Sequence, residues 1–389
     1  MFVDLTPEQH RLRVRVRDYF NQLMTPELRL QMRGAESGDL YRKVIRQMGR
    51  DGWLAVGWPK EHGGQGYAAT EQLIFFEEAN IAGAPLPFVT ISTVGPALMA
   101  FGTDLQKKKF LPGIAAGETI FAIGYSEPNA GSDLAALSTQ ARVEPGRFIV
   151  NGNKLWTSGV ESADYVWLAA RTSADLPRHK GVSLLIVDTR APGFSHTLIP
   201  TVGNATAATY YDEVEVPADM LVGELHGGWR LMTAQLNHER LGLGSWSDKV
   251  AGHFSRVLQW AKVCDEHGRR AVDQPWVRRL LAECYTRVEA MRLINFRIAA
   301  ELEAGALDVA LASVTKVYGS EGGIEILRKL TEVMGAASLV RSGSAASALL
   351  GELEYEVRAA TVMTFGGGTN ELQRELIAQF GLKMPRPVR

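Results

Sequence analysis

Two segments carry the residue types that could do chemistry. Ile123-Gly124-Tyr125-Ser126-Glu127-Pro128-Asn129-Ala130-Gly131-Ser132-Asp133-Leu134 leaves a run of strand-forming residues and enters small and hydroxylated ones. Such a loop lets a planar or phosphorylated ligand approach backbone N–H groups closely. A polar connection between two strands fits the same residues equally well. Downstream, Lys154-Leu155-Trp156-Thr157-Ser158-Gly159 adds an aromatic plane and two hydroxyls at a strand end, although a tryptophan taken alone is more often core than ligand platform. Other familiar chemistries lack their residues. Gly64-Gln65-Gly66-Tyr67-Ala68-Ala69 has the spacing of a dinucleotide fingerprint but follows Trp58-Pro59 rather than a buried strand, which makes it a turn. His238-Glu239 opens like a zinc-protease helix, yet Gly242 stands where the second histidine is required, so no metal site is predicted. No Gly-x-Ser-x-Gly elbow and no phosphate-loop lysine motif occurs.

The elements that must position these segments come from 389 residues, enough for two or three cores. Forty-two Lys plus Arg against 43 Asp plus Glu leave a net charge of −1, so no field gathers nucleic acid or anionic lipid. With 46% hydrophobic and 22% charged residues the composition is that of a globular protein. Cys264 and Cys284 can form neither a disulfide framework nor a four-thiolate zinc site, which fits a reducing compartment, the cytoplasm. No apolar run approaches the roughly 20 residues of a membrane span. The alternating Arg11, Arg13, Arg15 and Arg17 follow Asp4 and Glu8 and precede no apolar segment or cleavage site, which argues against a targeting peptide.

Thr6-Pro7-Glu8 reads as an N-cap, a first-turn proline and an acid near the positive helix end. The helix it opens has Leu12, Val16, Tyr19, Phe20 and Leu23 on one face and the arginines on its solvated side. Helical spacing recurs over Tyr41–Asp51, Thr70–Ile81 and Thr93–Phe101. From Thr119 the texture changes to strands at Ile120–Tyr125, Arg147–Val150, Lys154–Thr157, Tyr165–Arg171 and Val182–Asp188, with Asn151-Gly152 as a hairpin turn. Beyond Gly227, amphipathic stretches at Trp229–Cys264, Pro275–Ala304, Leu307–Met334 and Ser344–Met363 predict a four-helix bundle. The expected fold is therefore α+β: an N-terminal helical domain (1–118), a central β domain (119–222) and a C-terminal helical bundle (223–389).

Taken together the two chemical segments resemble the acyl-CoA dehydrogenase family, the first matching its flavin-binding signature and the second the Trp-x-Thr/Ser element that follows. The resemblance spans nearly the whole chain. It includes Trp58-Pro59-Lys60-Glu61-His62-Gly63-Gly64, the helix–sheet–helix order, Asn237-His238-Glu239-Arg240-Leu241 and the closing Phe365-Gly366-Gly367-Gly368-Thr369-Asn370-Glu371. It implies the family's fold, with a barrel-like central β domain, and FAD bound between that domain and the C-terminal helices. Ile123, Tyr125 and Ser126 match positions along the isoalloxazine, Trp156 packs against its edge, and Ser158 reaches it near N5. Ser132 matches a position near the flavin and the CoA chain, Arg240 a substrate contact, and Thr369 and Glu371 open the last helix near the pyrophosphate.

Many members of that family carry a catalytic glutamate two residues before the threonine of the closing loop, where this chain has Gly367. The family's second location for the base precedes an arginine on the first long C-terminal helix, which makes Glu239, followed by Arg240, the implied base. Alone, a glutamate there reads as a surface residue paired with Arg240 or Lys249. Gly367 would contribute its backbone N–H to the thioester carbonyl. Two motifs that members lend across a dimer are degraded: Arg-x-x-Phe-Gly reads Cys264-Asp265-Glu266-His267-Gly268, and Gln-x-x-Gly-Gly reads Glu332-Val333-Met334-Gly335-Ala336. The chain thus resembles the base-carrying subunit of heterotetrameric acyl-CoA dehydrogenases of sterol side-chain degradation, as do Met1-Phe2-Val3-Asp4-Leu5-Thr6-Pro7-Glu8-Gln9 and Gly381-Leu382-Lys383-Met384-Pro385-Arg386. The implied activity is FAD-dependent α,β-dehydrogenation of a steroid side-chain CoA thioester in an α2β2 complex with a second dehydrogenase-like subunit. Electron-transfer flavoprotein is the implied acceptor. The alternatives are a flavin oxidase or monooxygenase on the same fold, or a non-catalytic assembly subunit.

Overall fold

The computed structural model describes residues 4–32, 37–235, 246–265, 267–305 and 308–385. In chain order its helices are α1 (Pro7–Leu23), α2 (Pro26–Met32), α3 (Gly38–Arg50), α4 (Ala69–Ala82), α5 (Gly95–Phe101), α6 (Asp104–Ala115), α7 (228–235), α8 (Trp246–Lys262), α9 (Pro275–Glu303), α10 (Val309–Met334), α11 (Glu352–Ala359) and α12 (Asn370–Leu376). The strands are β1 (Phe121–Gly124), β2 (Gln140–Glu144), β3 (Arg147–Leu155), β4 (Tyr165–Arg171), β5 (Val182–Asp188), β6 (Phe194–Ile199), β7 (Thr206–Pro217) and β8 (Leu221–Val222). None of the described helices is long and apolar enough to cross a membrane. The chain forms two compact units: residues 1–33, 68–84 and 240–389 make a helical one, and 34–67 with 85–239 make one built on the sheet.

In the sheet unit the strand order is β6-β7-β3-β2-β4-β5-β8, with β1 parallel to β4. This path has two ends, so the barrel-like sheet is not closed. β4 and β5 pair over seven residues each and are buried almost throughout, which their runs of Val, Leu, Ile and Ala require. One expectation fails here. Asn151-Gly152 is not a hairpin turn: β3 runs unbroken through it, and the pairing with β7 slips between Val150 and Gly152 as a bulge. Gly152 has φ +141°, and a Cβ there would lie 2.8 Å from the Thr139 Cα, so the glycine serves a close approach inside the sheet. The turn into β3 is made instead at Pro145-Gly146, between β2 and its antiparallel partner.

In the helical unit, Thr6 caps α1 as its residue type predicts. Its hydroxyl accepts from Gln9 N and the Gln9 side chain accepts from Thr6 N. Leu12, Val16 and Phe20 are buried. The arginines are not all solvated, however. Arg13 pairs with Glu77 and Arg17 forks onto Glu78 at 2.7 and 2.9 Å, because α4 carries two adjacent acids against the flank of α1. The bundle core is built from α8, α9, α10 and α11 through Val250, Leu281, Met291, Ile326, Leu330 and Leu353. Its fourth helix is shorter than the spacing over Ser344–Met363 suggests. The Ser-rich stretch turns on its own polar groups, with Ala346 N donating to the Ser344 hydroxyl, and regular helix begins only at Glu352. Of the stretch Trp229–Cys264, 236–245 lie outside the described residues.

Asp248 of α8 joins the acids of α4 in a buried cluster with Arg13 and Arg292. Its Oδ2 has no hydrogen-bond partner among the described residues. Burial, and then the charge of Glu77, push the Asp248 carboxyl well above its ordinary range, so the folded chain keeps a proton there that the unfolded chain loses. By linkage this site makes stability fall as pH rises above the unfolded carboxyl value of 3.8. Asp248→Asn removes that titration. The expected outcome is that wild type and variant melt alike just below pH 4, and that the wild type loses ground to the variant progressively toward pH 8. Parallel melting curves across that range would show that Asp248 is already ionised.

Candidate active site

The first chemical segment leaves β1, whose Ile123 is half-buried opposite Trp167 of β4. Tyr125 turns its hydroxyl inward, accepting from Trp167 Nε1 at 3.1 Å and donating to Gln235 Oε1 on α7. The Ser126 carbonyl accepts from Leu155 N at 2.8 Å, which draws the second segment against the first. The loop beyond is held by Glu127. Its carboxylate accepts from Ser138 N and Oγ at 2.7 Å, Thr139 N at 2.8 Å and Lys154 Nζ at 2.8 Å, joining both ends of the loop to β3. Lys154 is 0% exposed, and its Nζ also donates to the Tyr125 carbonyl at 3.0 Å. Burial opposes the charge on Glu127, but Lys154 and the donated hydrogen bonds prevail and hold the carboxyl down at about 2. Burial in turn lowers the Lys154 amine to about 8. At neutral pH both are charged.

Ser132 is exposed in that loop, and Gly131 beside it has open space where a Cβ would stand. Trp156 follows β3 with φ +66° and 56% of its surface exposed. A left-handed backbone at a bulky residue costs about 1–2 kcal/mol. The chain is held in it because Leu155 and Thr157 are pinned on either side, the latter donating to the Ala207 carbonyl at 2.9 Å. An indole that is exposed and maintained against strain is not part of the core. Ser158 is exposed too, its hydroxyl sharing a 2.9 Å hydrogen bond with Thr206.

In the helical unit, the closing loop runs from the tight turn Ala360–Thr364 to α12. Gly367 and Gly368 have φ +69° and +99°. Thr369 spends its hydroxyl as the α12 cap, accepting from Leu372 N at 3.2 Å, and Glu371 is exposed in the first turn. Three neighbours on α10 hold this loop. Lys316 Nζ donates to the carbonyls of Met363 and Gly366, the latter at 2.6 Å, and burial lowers its amine to about 8. Ser320 and Glu321 both accept from the buried Asn370 amide, at 2.9 and 3.0 Å, and Glu321 pairs with Arg374. Thus Ile123, Tyr125, Ser126, Trp156 and Ser158 come together in one unit, and Gly367, Thr369 and Glu371 in the other. Glu239 and Arg240 lie outside the described residues. Sequence reasoning missed Glu127, Lys154, Lys316 and Asn370 as anchors. The available signal was a charge among small residues: Lys316 shares a helix face with Ala312 and Ser320.

Three family models cover the chain: the acyl-CoA dehydrogenase N-terminal domain over 6–118, the middle domain over 122–215 and the C-terminal domain over 226–382. The chain belongs to the acyl-CoA dehydrogenase family. This acyl-CoA dehydrogenase is 48% identical over 399 residues to acyl-CoA dehydrogenase FadE26 of Mycobacterium tuberculosis, with 99% of each chain covered. Among solved structures it is similar to the Tcur3481-Tcur3483 steroid ACAD, with 46% identity, TM-score 0.95 and full coverage of both chains. It is also similar to the ChsE4-ChsE5 complex from Mycobacterium tuberculosis, with 48% identity, TM-score 0.93 and full coverage of both. Members of the family are flavoproteins, and the residues present fit a flavin. The strained, exposed Trp156 offers an aromatic face, Ser132 and Ser158 offer exposed hydroxyls, and the buried Gln235 Nε2 is a donor with no partner among the described residues.

The Glu127–Lys154 pair should be the stability hinge of this loop. Replacing one partner strands the other as a buried charge, so Lys154→Met is expected to lower the unfolding free energy by about 3–5 kcal/mol. The double variant Glu127→Gln/Lys154→Met should lose less than the two single losses combined. Because the Glu127 carboxyl lies below its ordinary 4.5, its contribution is complete above that pH and disappears as pH falls toward about 2. Denaturant unfolding of the four proteins checks this, and additive losses would show that the two residues do not act as a pair.

Proposed function

We propose that the chain is the base-carrying subunit of an α2β2, FAD-dependent dehydrogenase that converts a steroid side-chain CoA thioester to its trans-2-enoyl-CoA in sterol catabolism, in the cytoplasm. The observation that carries this reading is the closing loop. Gly367 offers an N–H and no side chain where many relatives of the family carry their glutamate, while Glu239-Arg240 matches the family's second location for the base. The names of the similar structures, a steroid ACAD and a two-component complex, support the substrate class and the second subunit. The division at 1–118, 119–222 and 223–389 belongs to the same reading.

Ile123, Tyr125, Ser126, Ser132, Trp156 and Ser158 would hold the flavin from the sheet unit, and Thr369 and Glu371 would serve FAD from the helical unit. Tyr125 contributes its backbone and ring, since its hydroxyl is committed to Trp167 and Gln235. Of the two hydroxyl protons in the Ser158–Thr206 pair only one is used between them, so Ser158 can donate its own outward. Bound FAD supplies the acceptor for the β-hydrogen, which leaves as hydride. Glu239 takes the pro-R α-proton as general base, and Arg240 and Ser132 bind the CoA ester. The Gly367 N–H donates to the thioester oxygen, where charge develops as the α-proton departs; one such donor is worth about 3 kcal/mol in the barrier. Electron-transfer flavoprotein would reoxidise the enzyme.

The second subunit supplies what this chain lacks. Cys264 stands at the position of the lending arginine, and the nearby Arg269 and Arg270 are paired with Asp265 and Asp273 of their own turn. Glu332 stands at the position of the lending glutamine. Expressed alone, the chain should hold FAD sub-stoichiometrically; co-expressed with its partner it should give an α2β2 assembly with two flavins by mass and absorbance. A homotetramer with one tight FAD per chain would remove the need for a partner.

Stopped-flow bleaching of the assembled complex tests the chemistry. A steroid 22-oyl-CoA should bleach the flavin faster than octanoyl-CoA, and Glu239→Gln should abolish bleaching by either while leaving FAD bound. Wild-type rates in the variant would remove Glu239 from the mechanism. Faster turnover of octanoyl-CoA would defeat the steroid assignment alone.

A further inference from the structure

We propose that Lys316 is a positioning residue that orients and polarises the Gly366–Gly367 peptide, so that the Gly367 N–H is a preset and strengthened donor to the thioester carbonyl oxygen. This rests on the role given to that N–H above. Lys316 is 6% exposed on α10, and its Nζ donates to the Gly366 carbonyl at 2.6 Å and to the Met363 carbonyl. Among the described residues no acid pairs with it, so two backbone carbonyls take the whole charge. The Gly366 oxygen and the Gly367 nitrogen belong to one planar trans peptide. Fixing the oxygen against α10 therefore directs the N–H to the opposite side, away from the lysine.

The same contact changes the donor's strength. A cation at the carbonyl oxygen draws electron density through the amide, which makes the attached N–H more acidic and a better hydrogen-bond donor. The neighbouring N–H groups show which donor this serves. Gly366 N is used by the Val362 carbonyl at 2.7 Å, whereas among the described residues no hydrogen bond takes the N–H of Gly367, which is exposed. Beyond it, Asn370 ties the loop's far end to Ser320 and Glu321 on the next turn of α10. The peptide is thus held from both sides by one helix. A buried ammonium without a carboxylate is expensive, and burial lowers this amine to about 8, still charged at neutral pH. An apolar side chain of similar length would fill the space without that penalty, but would leave both carbonyls without a donor.

Lys316→Met and Lys316→Arg are compared with wild type in the assembled complex, each also on the Glu239→Gln background, which binds the thioester without turnover. The readouts are kcat and KM for flavin bleaching and the C=O stretching frequency of a 13C-labelled thioester bound to the complex, which falls as the carbonyl is polarised. Lys316→Met should slow bleaching about 10–100-fold with KM within about threefold, and move the bound C=O frequency back toward its solution value. Lys316→Arg should retain most of the frequency shift. A merely structural lysine would change the melting temperature and leave the frequency where it was; a wild-type frequency in folded Lys316→Met overturns the proposal while the dehydrogenase reading stands. If that variant does not fold, Lys316→Gln takes its place, with a neutral donor and the same two outcomes. A wild-type complex that bleaches yet leaves the bound C=O at its solution frequency overturns the role of the Gly367 N–H, and the proposal with it.

Discussion

A lysine amine with no solvent exposure must find its partners inside the protein, and the sheet unit is arranged around that requirement at Lys154. Its Nζ reaches the Tyr125 carbonyl and the Glu127 carboxylate, and Glu127 in turn collects the donors of Ser138 and Thr139. One ion pair therefore fixes the entry and the exit of the flavin-signature loop to β3, two residues before Trp156. Without it the loop would keep its backbone contacts and the hydrogen bonds from Arg171 to the Ala135 and Leu137 carbonyls, but would lose the tie between its two ends and β3. With it, Ser126 and the strained indole at 156 lie on segments that are tied to each other.

The helical unit uses a related device with a different chemistry. Lys316 is also buried, but its partners are the carbonyls of Met363 and Gly366 rather than an acid. Burial lowers both amines to about 8, one against the pull of a carboxylate and one without it. The distinction matters for what each can do. An ammonium neutralised by Glu127 organises a loop, whereas an ammonium spent on peptide carbonyls also biases the electron distribution of those peptides.

Much of this fold is legible in the sequence where one local rule decides the outcome. The Thr6-Pro7 cap needs only its own residues, and the Tyr165–Arg171 and Val182–Asp188 strands need only continuous β-branched and aliphatic runs. The failures share a different cause. Asn151-Gly152 has the composition of a turn, but the glycine answers to Thr139, the residue just before β2, a contact that no local pattern encodes. The arginines of α1 read as a solvated face until Glu77 and Glu78 arrive from a helix 61 to 64 residues further along the chain. In the candidate site, resemblance supplied the candidate positions, while the anchors beside them depend on pairings between distant segments: Glu127 with Lys154, and Lys316 with the carbonyls of the closing loop.

The two successive left-handed glycines of the closing loop bear on where a base can stand. At φ +69° and +99° the backbone of Gly367 and Gly368 favours residues without a Cβ, and at 368 an added Cβ would meet Gln373 Nε2 at 2.7 Å. A glutamate side chain at 367 would have to accept that left-handed backbone or pull the Gly366 carbonyl off Lys316. The backbone of the loop thus disfavours a side chain, and with it a carboxylate, at 367. In the proposed division of labour Glu239 removes the proton and the closing loop polarises the carbonyl, so that the base does not have to satisfy the backbone demands of the loop.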